Sequence, residues 1–186
     1  MKYDRLILGY HGCTAADARI ILSGNSFHQS ENDYDWLGAG IYFWERGPDR
    51  ALRFIQQKLK RKKSHAKPAV VGALIQLGTC FDLLDTHNTR GLRATYQRFV
   101  RAMESANVPI PTNAGAAPDH KLRRLDCAVL NYYLAQSPHY QTVRGCFHEG
   151  AEAFPGSGIR TEAHIQIAVR DPACIIGTFR PTMIKS

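Results

Sequence analysis

Every apolar run in this chain is as short as a strand. The stretches RLILGY (5–10), GIYFW (40–44), AVVGALIQL (69–77), TVRGCF (142–147), AHIQIAV (163–169) and CIIGTF (174–179) are rich in β-branched and aromatic residues, and polar or Gly/Pro segments separate them. Helical patterns fall between them. Thr14 followed by Asp17 reads as a helix start, with Gly24 as its stop. Pro48 opens a second helix in which Ala51, Leu52, Ile55 and Leu59 share one side. Two more are expected near 92–106 and 119–135, divided by the exposed loop VPIPTNAGAAP. Strands grouped early and late around helices predict an α+β domain with a mostly antiparallel core, flanked by helices.

No repeat, low-complexity segment or long linker divides the 186 residues, so residues 1–186 are expected to form one domain. No apolar run approaches the roughly 18 residues of a membrane span, and the amino end lacks the apolar core of a signal peptide. The expectation is a soluble, cytoplasmic protein without membrane contact. Five scattered cysteines with no CxxC pair read as reduced, mostly buried side chains, and no metal site is expected. The formal charge of +8 favours encounters with polyanions. Six cations between Lys58 and Lys67 concentrate that charge, so this run is a candidate RNA or DNA contact as well as a solvated helix end.

Two polar residues interrupt the apolar strands. Tyr42 places a phenol inside GIYFW, where an unpaired hydroxyl would cost about 1–3 kcal/mol, so its oxygen must find a partner. His11 ends the first strand and is followed by Gly12, which permits close approach to the backbone. The order of these features resembles the ADP-ribosyltransferase superfamily, in its poly(ADP-ribose)-polymerase-like branch. The residues carrying the likeness are YHGCT at 10–14, GAGIYF at 38–43 and Ala51, nine positions after the tyrosine.

That resemblance implies an ADP-ribosyltransferase-like split sheet and NAD as substrate. Gly12, Gly38, Gly40 and Tyr42 would form the NAD site, with the Gly12 backbone on the nicotinamide carboxamide, His11 on a ribose hydroxyl and the Tyr42 ring stacked on nicotinamide. The family's third element, a glutamate at the head of a late strand, would fall in TEAHIQIAV, where Glu162, His164 and Gln166 alternate. Gln166 holds the glutamate's place. A glutamine can bond ribose hydroxyls but cannot act as general base, which disfavours chain elongation and leaves single ADP-ribose transfer. Glu162 is the first alternative carboxylate and Glu149 the second. Arg50 and Arg53 stand where the family often has a serine and an aromatic residue, and an arginine there could reach a pyrophosphate or an anionic acceptor or point to solvent. Asp33, Tyr34 and Asp35 are candidates for the rim.

The implied activity is mono-ADP-ribosylation of a macromolecular acceptor, protein or nucleic acid, with release of nicotinamide. Alternatives are an NAD glycohydrolase, an NAD-dependent RNA 2′-phosphotransferase-like enzyme, and a silent module that binds NAD, ADP-ribose or nucleic acid. The compact chain resembles bacterial toxins and defence effectors of the superfamily, which would imply a neutralising partner.

Overall fold

The computed structural model describes residues 2–116 and 121–182. The elements in chain order are β1 (Lys2–Thr14), α1 (Ala15–Leu22), β2 (Ile41–Glu45), α2 (Pro48–Arg61), β3 (Pro68–Asp82), α3 (Thr86–Arg90), α4 (Leu92–Ser105), α5 (Arg124–Ala135), β4 (Thr142–Phe147), β5 (His164–Val169) and β6 (Ile175–Phe179). This is an α+β arrangement around a mixed six-stranded sheet. Of the expected helix at 119–135, residues 119 and 120 lie outside the described residues and the helix itself starts at Arg124.

The strands fall into two antiparallel triplets, β1–β3–β6 and β2–β5–β4, and two short seams join them. At one seam β1 meets β2 through Gly9↔Glu45 and Tyr10↔Trp44. At the other β3 runs parallel to β4 from Cys80↔Thr142 to Asp82↔Arg144, the one parallel pairing among the described residues. Because β1 also pairs with β3 along Leu6↔Gln76 to Thr14↔Pro68, the two seams close the strands into a ring.

Inside the ring, Ile7, Ile41, Phe43, Ala73, Ile75, Leu77, Ile167 and Val169 form the main core. Strand alternation sends Val143, Phe147 and Ala168 outward, and there, with Phe81, which follows a break in the alternation at Gly78, and Leu37 of the turn before β2, they pack under Leu130 and Leu134 of α5. Helix α1 starts with the expected capping box: the Asp17 amide donates to Thr14 Oγ1 at 3.2 Å, and the Thr14 amide donates back to Asp17 Oδ2 at 3.4 Å. It buries Ala18 and Ile21 against Cys13 and Val71. Helix α2 buries Ala51, Ile55 and Leu59, three of the four positions the spacing picked out.

Both long strands outrun the sequence expectation. Strand β1 carries on through His11, Gly12 and Cys13 because β3 pairs it as far as Thr14, so the His-Gly dipeptide lies within a strand, not at its end. None of the described residues belongs to a helix long and apolar enough to cross a membrane. Cys13, Cys80, Cys127 and Cys174 are buried, Cys146 is exposed, and all five are free thiols. Burial pushes the Cys13, Cys80 and Cys127 thiols up to about 11.

Candidate active site

Past Tyr10 the partners of β1 on the β2 side end, and the two strands part. His11 spans this opening. Its Nδ1 lies 2.8 Å from the Tyr42 carbonyl oxygen. A carbonyl only accepts, so Nδ1 carries the proton and Nε2 is the acceptor. Burial lowers the His11 pKa more than the Tyr42 bond raises it, and Lys58 lowers it further, which leaves a neutral imidazole at pH 7. The ring packs edge-on against Phe27 at 5.2 Å and beside Phe43 at 5.7 Å.

Tyr42 points the other way. It is opposite Ala168 in the β2–β5 ladder and shares that residue's outer face, so the structure joins His11 to the Tyr42 backbone and sends the two rings to different sides of the sheet. The phenol donates to the Gly38 carbonyl at 2.7 Å and accepts from the Leu37 amide at 2.8 Å. Here is the partner that a buried hydroxyl required. Burial, then Asp35, raises the Tyr42 pKa well above that of an ordinary tyrosine.

The glycines have structural work of their own. A side chain at Gly12 would run into the Ala51 carbonyl of α2, so this residue sets how closely the helix lies on β1. Gly38 sits at φ 76°, the left-handed conformation its turn needs, and Gly40 exchanges backbone bonds with Ser30 at 2.8 and 3.0 Å.

Strand β5 brings Gln166 next to this region. Gln166 lies opposite Trp44 and two positions from the Ala168 that faces Tyr42, so Tyr42, Trp44, Gln166 and His164 share one face. Glu162 belongs to the turn before β5, and its amide donates to the Glu149 carbonyl at 3.0 Å. The two acids differ in freedom. Glu149 has 3% of its side chain exposed and accepts from Arg50 Nη2 at 2.6 Å, with Lys121 Nζ at 3.3 Å. Glu162 is 24% exposed and only loosely approached, by Arg50 at 3.7 Å and Arg53 at 3.9 Å.

Arg50 thus turns inward onto a carboxylate, so neither solvent nor a free anion site describes it; its Nε, like Trp44 Nε1, is buried without a partner. Arg53 stays mostly exposed. At the rim, Asp33 pairs with Arg124 Nε at 3.0 Å and Asp35 receives the Asn32 amide at 2.9 Å, while Tyr34 is exposed.

His164 was visible in the sequence only as a residue sharing the alternation of Gln166. In the structure it is the hub of this face: Nδ1 meets the Glu162 carbonyl at 2.7 Å, Nε2 meets Gln166 Nε2 at 3.1 Å, and Trp36 stacks on the ring at 6.3 Å. Burial, and after it Arg50, lower its pKa despite the Glu162 bond. A cavity of about 350 Å³ borders Trp36 and Phe147, the two rings against His164, and is lined further by Leu92, Tyr96, Arg123 and Leu130. It does not include His11 or Tyr42.

The basic run from Lys58 to Lys67 closes α2 and continues past it, and its six cations are exposed while Leu59 is buried. Among the described residues no His/Cys/Asp/Glu group is placed to hold a metal ion. The chain matches no protein-family model, no curated protein and no solved structure.

Proposed function

We propose that the chain is an NAD-dependent mono-ADP-ribosyltransferase with an ADP-ribosyltransferase-like fold. The observation that carries this reading is the bridge at the sheet opening. His11, on a His-Gly strand, is hydrogen-bonded to the strand of the GAGIYF motif, and Gln166 occupies the next strand on the Tyr42 face. Three segments far apart in sequence thus come to neighbouring strands, which supports the reading.

In this reading the Tyr42 ring offers its face to the nicotinamide ring, while its hydroxyl stays committed to the loop. Neutral His11, whose ring lies on the other side of the sheet from Tyr42, would reach NAD only across the opening between β1 and β2, accepting a ribose hydroxyl bond at Nε2. The nicotinamide–ribose bond breaks with its electron pair going to nicotinamide, which leaves neutral, and positive charge develops on the ribose carbon and ring oxygen. The acceptor's nucleophile then bonds to that carbon and gives up its proton. Gln166 can orient the sugar through its carbonyl but cannot take that proton. Glu162, the more exposed and more weakly paired of the two acids, is the residue for it. Glu149, neutralised by Arg50, holds the cluster together instead.

The exposed Lys58–Lys67 run suits a polyanionic acceptor, RNA or DNA, and a protein acceptor is the other outcome of the same test. Labelled NAD is incubated with the protein and a cell lysate, followed by protease or nuclease digestion. Nicotinamide release that needs the lysate, with label in macromolecules, supports a transferase. Release into water alone makes the chain a glycohydrolase. Absence of both from wild type, with NAD still bound, leaves a binding module.

A further inference from the structure

We propose that His164 is a positioning residue that fixes which end of the Gln166 amide faces the substrate. Donors and acceptors fix the amide, and only what it then does for the substrate rests on the transferase reading. The Glu162 carbonyl can only accept, so the 2.7 Å contact places a proton on His164 Nδ1. The neutral ring then has a lone pair at Nε2. The Gln166 group facing that lone pair at 3.1 Å must be the donor, its NH2. The carbonyl end, Oε1, is therefore turned away from His164. Among the described residues no hydrogen bond is made by Oε1, and Gln166 keeps 9% of its surface exposed.

The consequence is chemical. At the place where the family carries a carboxylate, this chain presents a carbonyl oxygen, which like a carboxylate accepts a hydrogen bond from a ribose hydroxyl. With the amide inverted, Gln166 would offer two N–H donors toward developing positive charge. His164 decides between the two, and it does so only while neutral. Protonation puts a donor on Nε2, opposite the Gln166 donor, and the amide must turn over or let go.

The groups around the ring set when that happens. Glu149 Oε2 lies 3.8 Å from Nδ1 and favours the cation, as does Glu162, whereas Arg50 of α2 opposes it. Trp36 and Phe147 cover the ring with apolar surface, which also favours the neutral form. The acceptor orientation therefore holds at neutral pH and is lost on acidification below the ordinary histidine value of 6.5.

Two measurements test this independently. In ¹⁵N NMR of the whole chain, His164 is expected as the Nδ1–H tautomer at neutral pH, and the Gln166 side-chain amide is expected to shift with the same titration as His164. An Nε2–H tautomer, or a Gln166 amide indifferent to that titration, overturns the orientation whether or not the protein consumes NAD. The second measurement is nicotinamide release against pH for wild type, His164→Phe and His164→Gln. Wild type should lose activity on the acid side. His164→Phe, which suits the aromatic surroundings but holds no amide, should lose about tenfold in kcat with little change in KM. His164→Gln, a neutral acceptor that does not titrate, should recover activity and flatten the acid limb. Wild-type kcat and pH profile in His164→Phe would sink the positioning role. No release from wild type overturns the transferase reading and the substrate half of this proposal, while the NMR titration still decides the amide.

Discussion

The Tyr42 hydroxyl sits between the Leu37 amide and the Gly38 carbonyl, so one atom secures the turn that leads into β2. Its ring, packed against the outer cluster that includes Leu37, is a separate resource. Tyr42→Phe keeps the ring and strands both backbone partners, at a cost of about 1–3 kcal/mol. Urea unfolding should show that loss, while nicotinamide release persists; Tyr42→Ala should abolish release as well. If Tyr42→Phe were inactive but fully stable, the hydroxyl would be acting on substrate and the ring-platform account would be wrong. His11 and His164 make a second prediction at this scale, because burial lowers both pKa values from 6.5. Below 6.5 the unfolded chain takes up protons that the folded chain refuses, so it binds more of them and stability falls. The stabilisation is complete above 6.5 and is lost as the pH drops through the folded-state values. Denaturation midpoints across that range should decline toward acid, and His11→Gln with His164→Gln should flatten the decline.

Helix α2 lies against β1 through Gly12, and both sides of that contact are backbone, so neither can swing aside. Gly12→Ala must push the helix outward, at about 1–3 kcal/mol for overpacking. The displacement also moves Arg50, which is next to Ala51 and holds Glu149. Faster hydrogen exchange along α2, with a lower unfolding midpoint, is the expected result; an unchanged midpoint would mean that the helix tolerates the added methyl. At this scale the sequence was informative where the signals are local. Thr14 and Asp17 announced the capping box, Pro48 announced α2, and 92–106 matches α4 to within a residue. It was silent where partners are distant. Nothing near His11 says that β3 will pair β1 past it, and nothing near Arg50 says that an acid 99 positions later will draw it inward. The likeness placed His11, Tyr42 and Gln166 on three strands. It missed that His11 and Tyr42 meet through a backbone carbonyl, because which side a ring faces depends on the register between β1 and β2.

The whole molecule depends on two seams, each only two or three residue pairs long, to hold its triplets of strands in a ring. Apolar burial inside the ring favours closure but does not choose a register. An ion triad supplies that choice. Arg144 of β4 donates through Nε to Glu45 at the end of β2, at 2.7 Å, and through Nη1 to Asp82 at the end of β3, at 3.0 Å; all three side chains are 8–9% exposed. These partners are 99 and 62 positions from Arg144, so the acid closing IYFWE gave no sign in the sequence of its role. The two carboxylates around it raise the arginine's pKa, although burial opposes them. Arg144→Met removes the cation and leaves two carboxylates buried side by side, which should cost about 3–5 kcal/mol. Because β2 and β4 flank the strand that carries Gln166, the loosened seam should also slow nicotinamide release at temperatures where the variant is still folded. Adding Glu45→Gln and Asp82→Asn to Arg144→Met removes the uncompensated charge and should recover most of the stability. Recovery of release would lag behind, because the neutral trio lacks the bonds that fix the register. A single variant Arg144→Met as stable as wild type would mean that packing alone closes the ring.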